Sequence, residues 1–299
     1  MKLHPVVKNI LRPPYRAALW LAARLAHGLA WLLHALLGPT RFLKLVHFVR
    51  REMDTTIEVG GLRFDASHEI PLYRALTLFT KEPDTIAWID DCVSEGDSFY
   101  DVGANIGVFT LYAATRKKAA VVAFEPSSEN YAILNRNIYM NGLADRVIAL
   151  NLALHDRTAL SMLNLSAFMP GKAGHGFSIA VAGSDYSAFI PDFRQSVIGY
   201  RLDDFVHTFD VPFPNHVKID VDGNDPVVLE GMRGLLDDPR LKSVAIELNP
   251  DFREADRQVA DLLLAHGFEK LDGERYRNLA NIRDGLAHNY FFVRGRHAL

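Results

Sequence analysis

Hydrophobic positions along the chain follow three different periods. Ala17 to Leu37 is almost wholly apolar and rich in good helix formers, and Gly38-Pro39 is expected to end it. Thr55 to Ala66 alternates apolar and polar residues about Gly60-Gly61, which predicts a hairpin. Pro83 to Val93 reads as a helix. Beyond it, short apolar runs alternate with helical patterns. The strands predicted are Ser98–Val102, Val121–Phe124, Val147–Leu154, His216–Asp220 and Ser243–Glu247. The helices predicted are Gly107–Thr115, Ser128–Asn141, Pro226–Leu236 and Arg253–His266. Such alternation defines an α/β protein with a doubly wound sheet. About sixty residues separate the third and fourth strands, too many for a simple crossover. Thr158–Leu165 and Ser196–Leu202 are read there as an inserted hairpin, with Met169 to Gly176 as a flexible loop near the substrate. Phe268–Leu271 and Tyr290–Arg294 form a final strand pair.

The turn after the first core strand carries the most chemistry. Tyr100-Asp101-Val102-Gly103-Ala104-Asn105-Ile106-Gly107 runs from a strand through a glycine turn into a helix. A nicotinamide dinucleotide site would show G-x-G-x-x-G, whose glycines bring a helix N-terminus to a pyrophosphate. Here the pattern is G-x-N-x-G, with Asp101 before it. A carboxylate repels a pyrophosphate and suits an ammonium or sulfonium. Glu125 ends the next strand, where an acid accepts hydrogen bonds from ribose hydroxyls. The pair favours S-adenosylmethionine over NAD. An ordinary crossover with a convenient glycine turn is the plainer alternative.

Four segments in order extend the argument: Phe124-Glu125-Pro126, Tyr200 to Phe205, Val217-Lys218-Ile219-Asp220-Val221-Asp222-Gly223-Asn224-Asp225, and Val228 to Met232. With the glycine turn they resemble the FkbM family of S-adenosylmethionine-dependent methyltransferases, over about residues 56 to 294. The usual family motif reads K-I-D-V-E-G-x-E. Asp222 and Asp225 stand in place of its two glutamates, each one methylene shorter. The resemblance implies a class I methyltransferase, Rossmann-like fold of seven strands in the order 3-2-1-4-5-7-6. It also implies O-methylation of a hydroxyl on a sugar, a glycan or a natural product.

Candidate roles follow. Gly103, Asn105 and Gly107 form the cofactor turn, Asp101 faces the amino-acid end and Glu125 the ribose. Lys81 and Glu82 begin a helix that often covers the methionine end in methyltransferases of this shape, and Glu82 is taken as cofactor-binding. Asp220, Asp222 and Asp225 crowd one turn, while Glu247 and Asn249 end the next strand. Asp220 and Asp222 are the catalytic candidates, because crowded carboxylates raise one another's pKa and make better bases. They are also able to bind Mg²⁺ through oxygens, although nothing in the pattern requires a metal. Asp225 beside Pro226 doubles as a helix-start signal. His175 in the glycine-rich loop is a further base candidate, with His155 after the third strand behind it. No HExxH, paired CxxC or nucleophile elbow is present, so hydrolase and zinc chemistry fall away. N-methylation of a small amine and a non-catalytic binding module on the same fold are the competing functions.

Composition alters one part of this picture. The net charge of −3 conceals an asymmetry: residues 1–51 hold nine Lys or Arg and no acid. The remainder holds 24 basic and 36 acidic residues, a net of −12. An acidic body argues against nucleic acid on the catalytic face. The chain therefore divides into a basic helical arm, 1–51, and a methyltransferase domain, 52–299. Arg16, His27, His34 and Arg41 fall along one helical stripe with Arg24 close by, and Trp20 and Trp31 add interfacial side chains. These features fit an amphipathic helix lying on a membrane surface through residues 16–41. A targeting or spanning segment and a packing or homodimer contact are the other readings. Cys92 is the only cysteine, so no intramolecular disulfide forms. The expected location is cytoplasmic, peripheral to the membrane.

Overall fold

The computed structural model describes residues 13–179, 181–182, 187–249, 254–277 and 288–295. It contains two compact units, which divide after Thr55 rather than after Arg51. The first holds helix α1, Pro13–Glu52, broken at Gly38 (φ 73°, ψ 165°). The expected helix end is thus a kink. Gly38 supplies a backbone conformation that a side chain disfavours, and Pro39 restarts the helix because a proline in the first turn forfeits no hydrogen bond. Residues 1–12 of the arm lie outside the described residues.

The second unit begins with hairpin β1 (Thr56–Val59) and β2 (Leu62–Asp65), turned by Gly60 and Gly61, both at positive φ. Helix α2 (Glu69–Leu76) follows, which the sequence pattern did not reveal, and then α3 (Pro83–Cys92) with Pro83 in its first turn. Strand β3 (Ser98–Val102) is buried at all five positions. It is followed by α4 (Val108–Arg116), β4 (Ala120–Phe124), α5 (Ser128–Met140) and β5 (Val147–Leu150). The predicted strand Val147–Leu154 breaks here, because Asn151 Nδ2 donates to the Glu125 and Pro126 carbonyls at 2.8 and 2.9 Å. Its remainder, β6 (Ala153–Leu154), joins another sheet.

The insertion is larger than a hairpin. Strands β7 (Ala159–Leu165) and β8 (Gly176–Phe177) precede a small pair, β9 (Val181–Ala182) and β10 (Ser187–Ala188). Strand β11 is Phe193–Tyr200, and it runs antiparallel to β7 and parallel to β6. The order β6-β11-β7-β8 makes a four-stranded sheet with its own small core of Ala153, Leu163, Leu165, Phe177 and Val197. Helix α6 (Leu202–Thr208) replaces the predicted end of the second inserted strand.

The main sheet is completed by β12 (His216–Ile219), β13 (Ser243–Leu248), β14 (Phe268–Lys270) and β15 (His288–Arg294). Between them lie α7 (Asp225–Glu230) and α8 (Glu254–Ala265). The predicted helix Pro226–Leu236 is shorter, ending at Glu230 before a 3₁₀ turn, and Arg253 lies outside the described residues. The order β14-β15-β13-β12-β3-β4-β5 has only β15 antiparallel to its neighbours. In chain order of these seven strands it is the expected 3-2-1-4-5-7-6. Side chains alternate across the sheet. Phe99 packs with Trp88, Ile106 and Leu111 on one face, and Tyr100 and Val102 pack with Phe205, Leu229 and Leu263 on the other. The C-terminal ends of β3, β4, β12 and β13 converge where the strand order reverses, the place such sheets use for ligands.

Candidate active site

The glycine turn is held between two strands. Gly103 and Ala104 N–H both donate to the Phe124 carbonyl, at 2.9 and 3.0 Å. Gly103, Asn105 and Gly107 all have positive φ. A Cβ at Gly103 would run into the Asp220 carbonyl oxygen, and one at Gly107 into Leu134. Both glycines are therefore set by close approach as well as by backbone conformation. Asn105 tolerates the left-handed region and its Oδ1 accepts from the next N–H, Ile106, at 3.0 Å.

Glu125 is fastened to this turn. Its Oε2 accepts from Asn105 N–H at 2.7 Å, and its Oε1 from Ser127 N–H at 2.8 Å. Burial pushes its carboxyl up to about 7 against the pull of these two N–H groups. Glu125 lines a cleft with Gly103, Asn105, Asp220, Asp222 and Glu247.

A buried lysine organises the acids on the opposite wall. Lys218 is 3% exposed, and its Nζ lies 3.0 Å from Asp220 Oδ2 and above the Phe109 ring. Burial alone would lower the ammonium, but Asp220, Asp101 and Glu82 hold it well above its ordinary value. Lys218 belongs to the sequence motif, but the pattern alone gives it no role. A lysine inside a strand of apolar neighbours, flanked by an acid two residues on, was the available signal. Asp101 lies beneath the turn rather than among the cleft-lining residues. Its Oδ2 accepts from the Thr110 hydroxyl at 2.6 Å, while its Oδ1 is buried without a hydrogen-bond partner.

Asp225 turns inward to its own loop. Its two oxygens accept from Val221 and Gly223 N–H, each at 3.0 Å, so it locks the turn that presents Asp220 and Asp222. Burial and then Asp220 push it up to about 7. Asp222 sits at φ 53°, an unusual backbone state for a side-chain-bearing residue. Its Oδ2 accepts from Gly174 N–H at 2.7 Å. Burial, and then Asp220, raise it above the usual carboxylate range. Glu247 is raised well above that range by burial and by Asp220, Asp225 and Asp222.

The loop Met169–Gly176 is pinned over these groups. Arg74 Nε donates to the Gly171 carbonyl at 2.6 Å, and Gly171 N–H donates to Asn130 Oδ1 at 2.7 Å. Asn105 and Asn130 Nδ2 both donate to the Lys172 carbonyl. The sequence reading of a flexible loop is corrected accordingly, because its backbone polar groups find partners on three elements. It also missed Arg74, which comes from the unrecognised helix α2.

His175 is brought to the cleft wall by this loop. Its Nδ1 accepts from Ser166 N–H at 3.2 Å, so the neutral ring carries its proton on Nε2, which is buried without a partner. Burial pushes the ring down to about 4. A neutral imidazole with a protonated free nitrogen donates a hydrogen bond and does not take a proton. His155 is not among the lining residues, and its ring packs edge-on against Phe177. Lys81 and Glu82 both line the cleft, paired at 2.5 Å. Burial would raise Glu82, but Lys81, Lys218 and Arg74 hold it at about 2. Among the described residues, no group of three metal-ligating side chains is arranged around a common point.

The donor set suits S-adenosylmethionine. Asp220, beside the Lys218 ammonium, offers a carboxylate to a sulfonium or an ammonium, and Arg74 and Lys81 offer positive charge to a carboxylate. Glu125 stands at the end of β4, where ribose hydroxyls are held. The fold and this site define a class I S-adenosylmethionine-dependent methyltransferase. Residues 101–270 match the methyltransferase FkbM domain, and the chain belongs to that family. It is 27% identical to hexuronic acid methyltransferase AglP of Haloferax volcanii over 225 residues, 75% of this chain and 86% of that protein. It is 30% identical over 195 residues to 31-O-demethyl-FK506 methyltransferase FkbM of Streptomyces tacrolimicus, 58% of this chain and 73% of that protein. Among solved structures, a Streptococcus thermophilus rRNA methylase aligns over 72% of this chain and 97% of its own, with 12% identity and a TM-score of 0.42.

Proposed function

We propose that this enzyme methylates a hydroxyl oxygen of a sugar, a glycan or a natural product. The observation that carries the reading is the ring of carboxylates around Asp220, on the same cleft as the ribose-side acid Glu125. The names of the two relatives, one acting on a hexuronic acid and one on FK506 lacking a methyl group at an oxygen, support an oxygen acceptor.

S-adenosylmethionine supplies an electrophilic methyl carbon on a sulfonium sulfur. Glu125 orients the nucleoside, and the glycine turn brings backbone close to it. Asp220, paired with Lys218 at 3.0 Å, presents a carboxylate at the cationic end. Glu247 takes the acceptor's hydroxyl proton. Burial and the neighbouring Asp220, Asp225 and Asp222 give it a high proton affinity, and it acts as base in the ionised form that a cation in the cleft would favour. Asp222 holds the loop over the site through Gly174, and His175 donates from Nε2 to an acceptor oxygen. Alignment of the oxygen with the methyl carbon supplies much of the acceleration.

The test is incubation of the purified protein with isotopically labelled methyl donor and fractionated glycans, lipid-linked sugars and polyketides. Mass spectrometry locates the label. A methyl ether is the expected product; an N-methyl product, or no cofactor binding by calorimetry, overturns the proposal.

A further inference from the structure

The N-terminal helix is the part of the chain that the methyltransferase chemistry does not use. No described residue of Ala17–Glu52 is buried. Leu21, Leu25, Leu29, Leu32 and Leu36 are all exposed, by 47 to 72%. At 100° per residue these five fall within an arc of about 80°, one continuous apolar face. The opposite side carries His27, His34 and Arg24. Trp20 and Trp31 fall within that polar stripe, between His27 and Arg24, exposed by 61% and 70%, and the Arg24 guanidinium lies 4.9 Å above the Trp20 ring.

We propose that this helix lies in the plane of an anionic lipid bilayer, leucines in the acyl region and the basic stripe among the headgroups. Charge selects the partner: residues 1–51 hold nine Lys or Arg and no acid, which neutral lipid or an average protein surface does not reward. The indoles share the polar side with the basic groups, which puts them at headgroup level, where tryptophan partitions in a membrane interface. The helix has the length and apolarity to cross a membrane, but spanning would bury Arg24, His27 and His34 among acyl chains. Lying flat leaves all three in water or among phosphates. The kink at Gly38 gives the second segment its own direction, and Lys44, Arg50 and Arg51 continue the positive charge there. The proposal stands whichever acceptor the enzyme uses.

Co-flotation of the full chain with vesicles tests it. Phosphatidylcholine vesicles containing about 30% phosphatidylglycerol are compared with phosphatidylcholine alone. The expected result is at least tenfold tighter binding to the anionic vesicles, weakened by 0.5 M NaCl and fully reversed by alkaline carbonate. A Leu25→Glu, Leu29→Glu double variant should lose flotation while binding S-adenosylmethionine normally by calorimetry. An Arg24→Gln variant, which keeps the apolar face, should lose part of the anionic preference. Equal binding to both vesicles, resistance to carbonate, or self-association of the chain without flotation would each overturn the proposal.

Discussion

Lys218 Nζ and Asp220 Oδ2 lie 3.0 Å apart on one strand end, and the lysine is otherwise enclosed by Phe109 and buried acids. Removing one partner of such a pair leaves a buried charge uncompensated. Lys218→Met is expected to destabilise the fold by about 3–5 kcal/mol. A thermal melt checks this. Asp220→Asn, which leaves the Lys218 ammonium still facing Asp101 and Glu82, should lower the melting temperature less and weaken S-adenosylmethionine binding more, as calorimetry would show.

Gly103 has no room for a side chain against the Asp220 carbonyl. Gly103→Ala should cost about 2–4 kcal/mol, from the clash together with a φ of 83°. The cofactor dissociation constant should rise at least tenfold, because β3 and β12 must separate to relieve the contact. Gly142→Ala, at positive φ with open space around it, should show only the smaller backbone penalty in the same melts.

Glu125 is an acid raised by folding, from 4.5 to about 7. Its contribution to stability is complete below about 4.5 and is lost as pH rises through 7; the difference is about 3 kcal/mol. Asp225, raised from 3.8 to about 7, acts in the same direction. The cofactor-free protein should therefore lose stability from pH 5 to pH 8, and Glu125→Gln should flatten part of that slope. The ionised carboxylate is the better partner for ribose hydroxyls. Cofactor affinity should rise with pH through 7 and binding should release a proton, measured by calorimetry in buffers of different ionisation enthalpy.

Glu247 is assigned the hydroxyl proton. Glu247→Gln should reduce kcat by about 10²-fold with little change in cofactor affinity. Its pH–rate profile should lose the limb belonging to the base. A variant with unchanged kcat would move the role to Asp222.

Arg74 holds the loop through Gly171. Arg74→Ala should speed hydrogen exchange across residues 171–176 and raise the acceptor KM more than it lowers kcat. The main-sheet amides of β3 and β12 should keep their protection.

Local patterns determined the main sheet. Buried strands such as Ser98–Val102 announce themselves as apolar runs, and Gly103, Asn105 and Gly107 mark a turn that few residue types tolerate. The acid at Glu125 and the motif ending in Asp225 then pointed to the cofactor and the family. Tertiary structure decided what those acids do. Asp225 locks its own turn, Asp101 accepts from Thr110 at the glycine turn, and Glu247 gains a high proton affinity from burial and from carboxylates at the end of the neighbouring strand. Arg74 and the loop at Gly171 meet across 97 residues, and no local pattern encodes that contact. The difference is physical: strand period and turn conformation are set by neighbours in the chain, whereas pKa, loop closure and side-chain partners are set by burial and charge that only folding brings together.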